Sequence, residues 1–169
     1  EFSVAGGFYE SSFTVALSYP EQEVDIRYTT DGSEPSLLSL SYRGPIPVGE
    51  SQSVRARAFK GGYLPSELSS QAYIFNNESP LPVIHIATDP DHLWDDERGI
   101  YVIGVNGTTR HCPTTPKNWY RSWEYPAHVT LFEPDGSLGF AAHAGISMTG
   151  GCSREHAQKS FNISFRPEY

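Results

Sequence analysis

The amino-acid sequence predicts a mainly β fold built from two units in tandem. The 169 residues include 13 prolines, 15 glycines and 13% aromatics, a composition that favours short strands and turns over helical bundles. Stretches that alternate apolar and polar residues recur along the chain, as half-buried strands do. Residues 76–82 are polar, carry two prolines and lack periodicity, so they are predicted to be an interdomain linker. We therefore expect a fibronectin type III or immunoglobulin-like β-sandwich at residues 7–75 and a second unit at 81–169.

The first unit is predicted to consist of about six short strands joined by turns. The clearest of them span residues 13–17, 24–29, 42–46, 53–59 and 71–75. Within 24–29, the alternation turns Ile26 and Tyr28 inward, and within 53–59 it puts Arg55 and Arg57 on the exposed face. The Asp-Gly pair at 31–32, followed by a proline, requires the chain to turn there. Arginines on an exposed strand face are usually solvated, so a binding role for them is the weaker reading.

The second unit is predicted to contain several strands and one short helix. Residues 83–87 are apolar and compatible with a strand buried on both faces. Residues 88–94 begin like a helix, with a capping side chain and Pro90 at the first helical position. Further strands are predicted at 100–104, 127–132, 138–140, 144–148 and 159–165. A polar loop rich in glycine joins the last two of these strands.

Charge and hydropathy argue against two classes of partner. The chain carries 12 basic and 20 acidic residues, a net charge of −8, and neither half is basic, so nucleic acid is not expected as a partner. No apolar run is long enough to cross a membrane. The two cysteines, Cys112 and Cys152, are compatible with one disulfide in an oxidising compartment and equally with two free thiols.

Three groups of residues could bind a ligand, but each has a simpler explanation. The acids at 89–97 could hold calcium, yet they lack the EF-hand order, and helix capping accounts for them. The aromatics at 119–125 could stack on a sugar, although such side chains more often pin a loop to a core. The residues with zinc-ligand chemistry, which match no compact zinc spacing, are His111, Cys112, Cys152 and His156. No metal site is predicted.

The first unit resembles a known family of small β-sandwich domains. The resemblance lies in Tyr28-Thr29-Thr30-Asp31-Gly32-Ser33-Glu34-Pro35, followed by Tyr42-Arg43-Gly44-Pro45-Ile46 and by residues 54–63. This order is similar to the family named after the C-terminal domain of chitobiase and β-hexosaminidase, and it covers nearly all of residues 7–75. The resemblance implies a module that accompanies a catalytic or surface domain and carries no chemistry itself.

Residues 81–169 resemble the start of the CotH kinase family, named for a bacterial spore-coat protein. The motifs are Leu81-Pro82-Val83-Ile84, Asp89-Pro90-Asp91-x-Leu93, Gly99-Ile100-Tyr101-Val102, Pro134-Asp135-Gly136-Ser137 and Gly150-Gly151-x-Ser153-Arg154 leading to Gln158-Lys159-Ser160-Phe161. The resemblance implies an incomplete α+β region like the N-lobe of a kinase. It also implies a secreted, spore-coat or surface setting, and a complete protein that uses ATP and Mg²⁺.

The same resemblance implies a nucleotide-binding loop. Phosphoryl transfer needs a cation on the nucleotide phosphates, and Lys159 is the residue placed for that role. Gly150, Gly151 and Ser153 would offer backbone and hydroxyl donors to phosphate oxygens, and Arg154 would add charge. No residue matches a catalytic or metal-binding motif, and those parts are expected in a larger C-terminal lobe. The alternative for Lys159 is an edge-strand lysine that discourages aggregation.

The expected function follows from the two resemblances. The chain is expected to be a non-catalytic N-terminal fragment of a secreted or surface CotH-like protein whose complete form resembles an atypical ATP-dependent protein kinase. The alternative is a cell-surface module that binds carbohydrate or protein and has no phosphotransfer activity.

Overall fold

A computed structural model describes residues 1–109 and 115–166. This part of the chain is mainly β, with one short helix, α1 (Pro90–Trp94), and two 3₁₀ turns, Asn118–Tyr120 and Cys152–Glu155. Its strands are β1 (Gly7–Tyr9), β2 (Phe13–Val15), β3 (Asp25–Thr29), β4 (Leu40–Ser41), β5 (Ile46–Val48), β6 (Gln52–Phe59), β7 (Ser69–Phe75), β8 (Val83–Ala87), β9 (Glu124–Phe132), β10 (Leu138–Thr149) and β11 (Ser160–Ser164). The predicted mainly β class is confirmed. None of the described helices is long and apolar enough to span a membrane.

The described strands form three sheets. One has the order β1-β7-β6-β3-β4, one pairs β2 with β5, and one has the order β11-β10-β9-β8. In the five-stranded sheet β1 runs parallel to β7, whereas the pairs β7-β6, β6-β3 and β3-β4 are antiparallel. The chain divides into two compact units, residues 1–87 with 130–141, and residues 88–129 with 142–169. The domain limits expected from the sequence stay a prediction.

The core of the first unit lies between the five-stranded sheet and the β2-β5 pair, which is a β-sandwich-like arrangement. Alternate residues of the short strands point into it, as the period of a strand requires. The buried cluster comprises Val15, Leu17, Ile46, Val48, Val54, Ala56 and Tyr73. Ile26 and Tyr28 of β3 pack against this cluster, so the inward face predicted for this strand is confirmed.

The exposed position predicted for Arg55 is wrong. Its side chain is buried, with 4% of the residue exposed, and its Nη1 donates a hydrogen bond to the carbonyl of Gly32 at 2.5 Å. Arg57 reaches the same turn, where its Nη1 bonds Glu34 Oε1 at 2.5 Å. The turn at 31–35 therefore covers the side chains of Arg55 and Arg57 and removes Arg55 from water. The alternation located the strand correctly but could not show what covers its polar face.

Helix α1 begins where the sequence predicted. The carboxylate of Asp89 accepts a hydrogen bond from the Asp91 amide at 2.9 Å, and Pro90 takes the first helical position. The strand predicted at 83–87 is confirmed as β8, but Ile84 is exposed, so burial on both faces is wrong. The separate strands predicted at 138–140 and 144–148 are one continuous strand, β10.

The strand predicted at residues 100–104 is wrong. The Ile100 and Tyr101 amides donate to carbonyls of α1 residues, and the Ile103 carbonyl accepts from Asn118. Gly104 then takes a positive φ of 64°, which ends any extended run. The run at 100–103 is apolar like a strand, and Ile100 is buried. The backbone groups of Ile100, Tyr101 and Ile103, however, bond to α1 and to Asn118 and not to a neighbouring strand.

Acidification is expected to destabilise the first unit through His85. Its Nε2 lies 3.0 Å from Ser53 Oγ, while its Nδ1 is buried without a hydrogen-bond partner among the described residues. Burial lowers the pKa of His85 below its usual value of 6.5. The unfolded chain therefore binds this proton more readily than the folded chain, and stability present above pH 6.5 is lost as pH falls through that value toward the folded pKa.

The test is urea unfolding between about pH 7.5 and pH 5.5. The free energy of unfolding should fall with pH by at most about 1.4 kcal/mol per pH unit from this single site, and the slope should shrink in His85→Gln. The exposed His156→Gln is the control and should keep the wild-type slope. Equal slopes in the wild type and His85→Gln would contradict the prediction.

Candidate functional site

The residues predicted to bind a nucleotide lie on the loop between β10 and β11 in the second unit. The two strands pair antiparallel, with Thr149 opposite Ser160, and the loop between them contains the 3₁₀ turn Cys152–Glu155. Lys159 is the last residue before β11. The predicted order of strand, glycine-rich loop and strand is therefore present.

The ammonium group of Lys159 contacts groups of its own unit. Its Nζ donates a hydrogen bond to the His156 carbonyl at 2.8 Å. The same atom lies 4.1 Å from the centroid of the Trp119 ring and 5.2 Å from that of Tyr101. Contacts between a cation and a ring contribute about 0.5–2 kcal/mol, more where water is excluded. The charge of Lys159 is thus shared between a carbonyl and two aromatic rings.

Arg154 joins the glycine-rich loop to the 3₁₀ turn at 118–120. The residue is 7% exposed. Its Nε donates to the Gly150 carbonyl at 2.7 Å and its Nη1 to the Trp119 carbonyl at 2.6 Å. The guanidinium carbon also lies 5.8 Å from the centroid of the Tyr120 ring. These charge-assisted hydrogen bonds fix both loop segments around one buried side chain.

The Glu155 carboxylate accepts hydrogen bonds from three residues of the segment 117–120. Its Oε1 accepts hydrogen bonds from Trp119 Nε1 at 3.2 Å and from the Tyr120 hydroxyl at 2.9 Å. Its Oε2 pairs with the Lys117 ammonium. The hydrogen bond from Lys117, with those from Tyr120 and Trp119, lowers the pKa of Glu155 below its usual range. Burial raises the pKa of Tyr120.

The glycines of the loop differ in what they require. Gly150 takes a positive φ of 99°, and a Cβ there would lie 2.3 Å from Ser153 Oγ, so the backbone explains this glycine. A Cβ on Gly151 would meet no atom within 4 Å. Gly151 and Ser153 are exposed. These two residues lie on the surface, while Arg154 and Lys159 bond inward.

The acids at 89–97 act mainly as caps and ion-pair partners. Asp89 caps α1, and Asp95 Oδ1 accepts from the Glu97 and Arg98 amides at 2.9 and 3.0 Å. Asp91 pairs with Arg98 at 2.5 Å. Within residues 1–109 and 115–166, no group of three or more metal-type side chains is arranged to hold an ion.

The structure describes one of the two cysteines, Cys152. Residues 110–114, and with them His111 and Cys112, lie outside the described part of the chain. No free cysteine occurs among the described residues, and Cys152 is disulfide-bonded. The pairing of Cys112 with Cys152 stays a prediction.

The architecture of the first unit defines its class, a small β-sandwich-like domain. The family model of the chitobiase/beta-hexosaminidase C-terminal domain matches residues 4–70. The chain therefore contains a domain of this type, as the residues at 28–35 and 42–46 predicted. No curated protein and no solved structure matches the chain. The resemblance of residues 81–169 to the CotH kinase family has no support from these comparisons and stays a prediction.

Proposed function

We propose that this chain is a non-catalytic accessory module of a secreted or cell-surface protein, and that it binds carbohydrate there. One observation supports the proposal that the module is non-catalytic. The two cations that a phosphate would need, Lys159 and Arg154, are bonded to carbonyls and aromatic rings of their own unit. The match to a domain named for chitobiase and beta-hexosaminidase supports the carbohydrate part.

Recruiting these cations to a nucleotide would be costly. Arg154 would have to release the carbonyls of Gly150 and Trp119, and a hydrogen bond to a charged group contributes about 1.5–3 kcal/mol. Lys159 would have to leave the Trp119 ring and the His156 carbonyl. The described residues therefore do not fit ATP in this arrangement, and we derive no phosphotransfer step through them.

The proposal is tested by retention of the purified chain on insoluble polysaccharides. Chitin, cellulose and peptidoglycan cover acetylated and unacetylated sugars, and a soluble chitin trisaccharide gives a dissociation constant by calorimetry. We expect retention on at least one polymer and a dissociation constant on the order of 0.1 mM, a value common for weak, exposed sites. Absence of binding to every polymer and to the trisaccharide would contradict the carbohydrate part of the proposal, and binding of ATP and Mg²⁺ would contradict the internal use of Lys159 and Arg154.

A second candidate is that the complete protein is a CotH-like phosphotransferase of the cell surface or spore coat. The order of β10, glycine-rich loop and β11, with Lys159 directly before β11, favours it. ATP and Mg²⁺ would then bind only when a C-terminal lobe is present. Calorimetry with ATP and Mg²⁺ on a longer protein, with Lys159→Ala beside it, tests this candidate. Equal affinity in both proteins would remove Lys159 from the site.

A further inference from the structure

A groove of about 370 Å³ opens on the first unit. Its size lies within the range of about 300–1,000 Å³ that small-molecule sites occupy. Apart from its alanines, the lining residues that matter here are Tyr19, Pro20, Ile26, Arg57, Ser66 and Glu67. The floor is formed partly by Ala56 and Ala58 of β6, both buried, and these short side chains leave the space open.

The lining of this groove is apolar at its floor and polar at its rim. Ile26 and the two alanines provide apolar surface, and the ring of Tyr19, which is 38% exposed, stands beside Pro20. Glu67, an exposed acidic residue, also lines the groove. Ser66 Oγ accepts from the Ala58 amide and donates to the Glu67 carbonyl, both at 2.9 Å, and contributes a second oxygen that can accept. The lining of the groove thus combines an aromatic residue with residues that carry hydrogen-bonding oxygens.

The charges of the rim argue against an anionic ligand. The lining contains Arg57, which is paired with Glu34 at 2.5 Å, and two acidic side chains, Glu1 and Glu67, so no excess of positive charge is available. A pyranose ring has an apolar face of C–H groups, which packs on aromatic rings, and hydroxyls at its edge, which carboxylate and hydroxyl oxygens accept. We propose that this groove binds an uncharged oligosaccharide, with Tyr19 as the stacking ring and Glu67 as the hydroxyl acceptor.

This inference rests on the proposed carbohydrate function, and the experiment separates the two. Wild type, Tyr19→Ala and Glu67→Ala are titrated with a soluble chitin trisaccharide and with cellotriose, followed by amide chemical shifts. Tyr19→Ala should raise the dissociation constant at least about tenfold, the loss of one well-packed aromatic contact, and Glu67→Ala should raise it several-fold. The matched control is Trp94→Ala, which removes another exposed aromatic residue, in the second unit.

The possible results distinguish the proposed binding groove from the proposed carbohydrate function. Shifts that cluster at 56–58 and 66–69 and disappear in Tyr19→Ala support the groove. Wild-type affinity in both groove variants, or loss only in Trp94→Ala, overturns the groove and leaves the carbohydrate function standing. Absence of any saccharide binding by the wild type overturns both. A groove that takes up a hydrophobic dye but no sugar also overturns this assignment. Should Tyr19→Ala fail to fold, the exposed Glu67→Ala alone decides.

Discussion

Replacing Tyr73 with alanine is expected to destabilise the first unit by about 3–5 kcal/mol, the range for removing a large buried aromatic side chain. Tyr73 is 0% exposed and belongs to the buried cluster. Its ring centroid lies 5.3 Å from that of Phe13 and 5.9 Å from that of Tyr9. Its hydroxyl donates to the Val4 carbonyl at 2.9 Å. Urea unfolding followed by circular dichroism measures the loss.

Two further variants separate the contributions to this loss. Tyr73→Phe keeps the ring and removes only the hydrogen bond to Val4, so it should cost about 1 kcal/mol. Tyr63→Ala removes an exposed tyrosine of the same unit and should change stability by no more than about 0.5 kcal/mol. If Tyr73→Ala costs no more than Tyr63→Ala, the core described for this unit is wrong.

Arg154→Leu is expected to destabilise the second unit by about 2–4 kcal/mol, since two charge-assisted hydrogen bonds disappear. The carbonyls of Gly150 and Trp119 would lose their guanidinium donors in a place where Arg154 itself is buried. Leucine keeps part of the apolar contact but offers no donor. Thermal unfolding followed by tryptophan fluorescence reports on this unit through the nearby Trp119.

Arg98→Leu is the matched control for this prediction. Arg98 bonds the carboxylate of Asp91, but both side chains are more than half exposed, and exposed ion pairs contribute little. Its removal should leave the unfolding transition unchanged. Arg154→Lys should not restore stability, because a lysine ammonium is a single point charge and cannot reproduce the planar fork of two donors. Wild-type stability in Arg154→Leu would show that the loop does not depend on this residue.

Local patterns in the sequence predicted much of the fold. Strands β3, β6, β7 and β8 have alternating or continuous apolar residues, and turn residues delimit them. Helix α1 was predictable because its capping side chain and proline act within four residues. Strand β1 was missed because its residues, a glycine followed by two aromatics, show no alternation of apolar and polar side chains. The burial of Arg55 was missed because the covering turn lies more than twenty residues away in sequence.

The candidate site was predictable in position but not in its contacts. The glycines and Lys159 marked a loop between two strands. The partners of that loop, however, come from the turn at 117–120, more than thirty residues earlier. Nothing near Glu155 in sequence indicates that it accepts hydrogen bonds from a tryptophan and a tyrosine. Such pairings are set by tertiary structure, which residue periodicity does not report.

The most direct test of the account is the nuclear magnetic resonance signal of the Lys159 side chain. The central claim is that the second unit uses its loop cations internally, with the Lys159 ammonium 4.1 Å from the centroid of the Trp119 ring. We expect the Cε protons of Lys159, assigned with Lys159→Arg, to be shifted upfield by the indole ring current and to stay there when ATP and Mg²⁺ are added. A signal at the position of a freely solvated lysine, moving on addition of ATP and Mg²⁺, would contradict the claim.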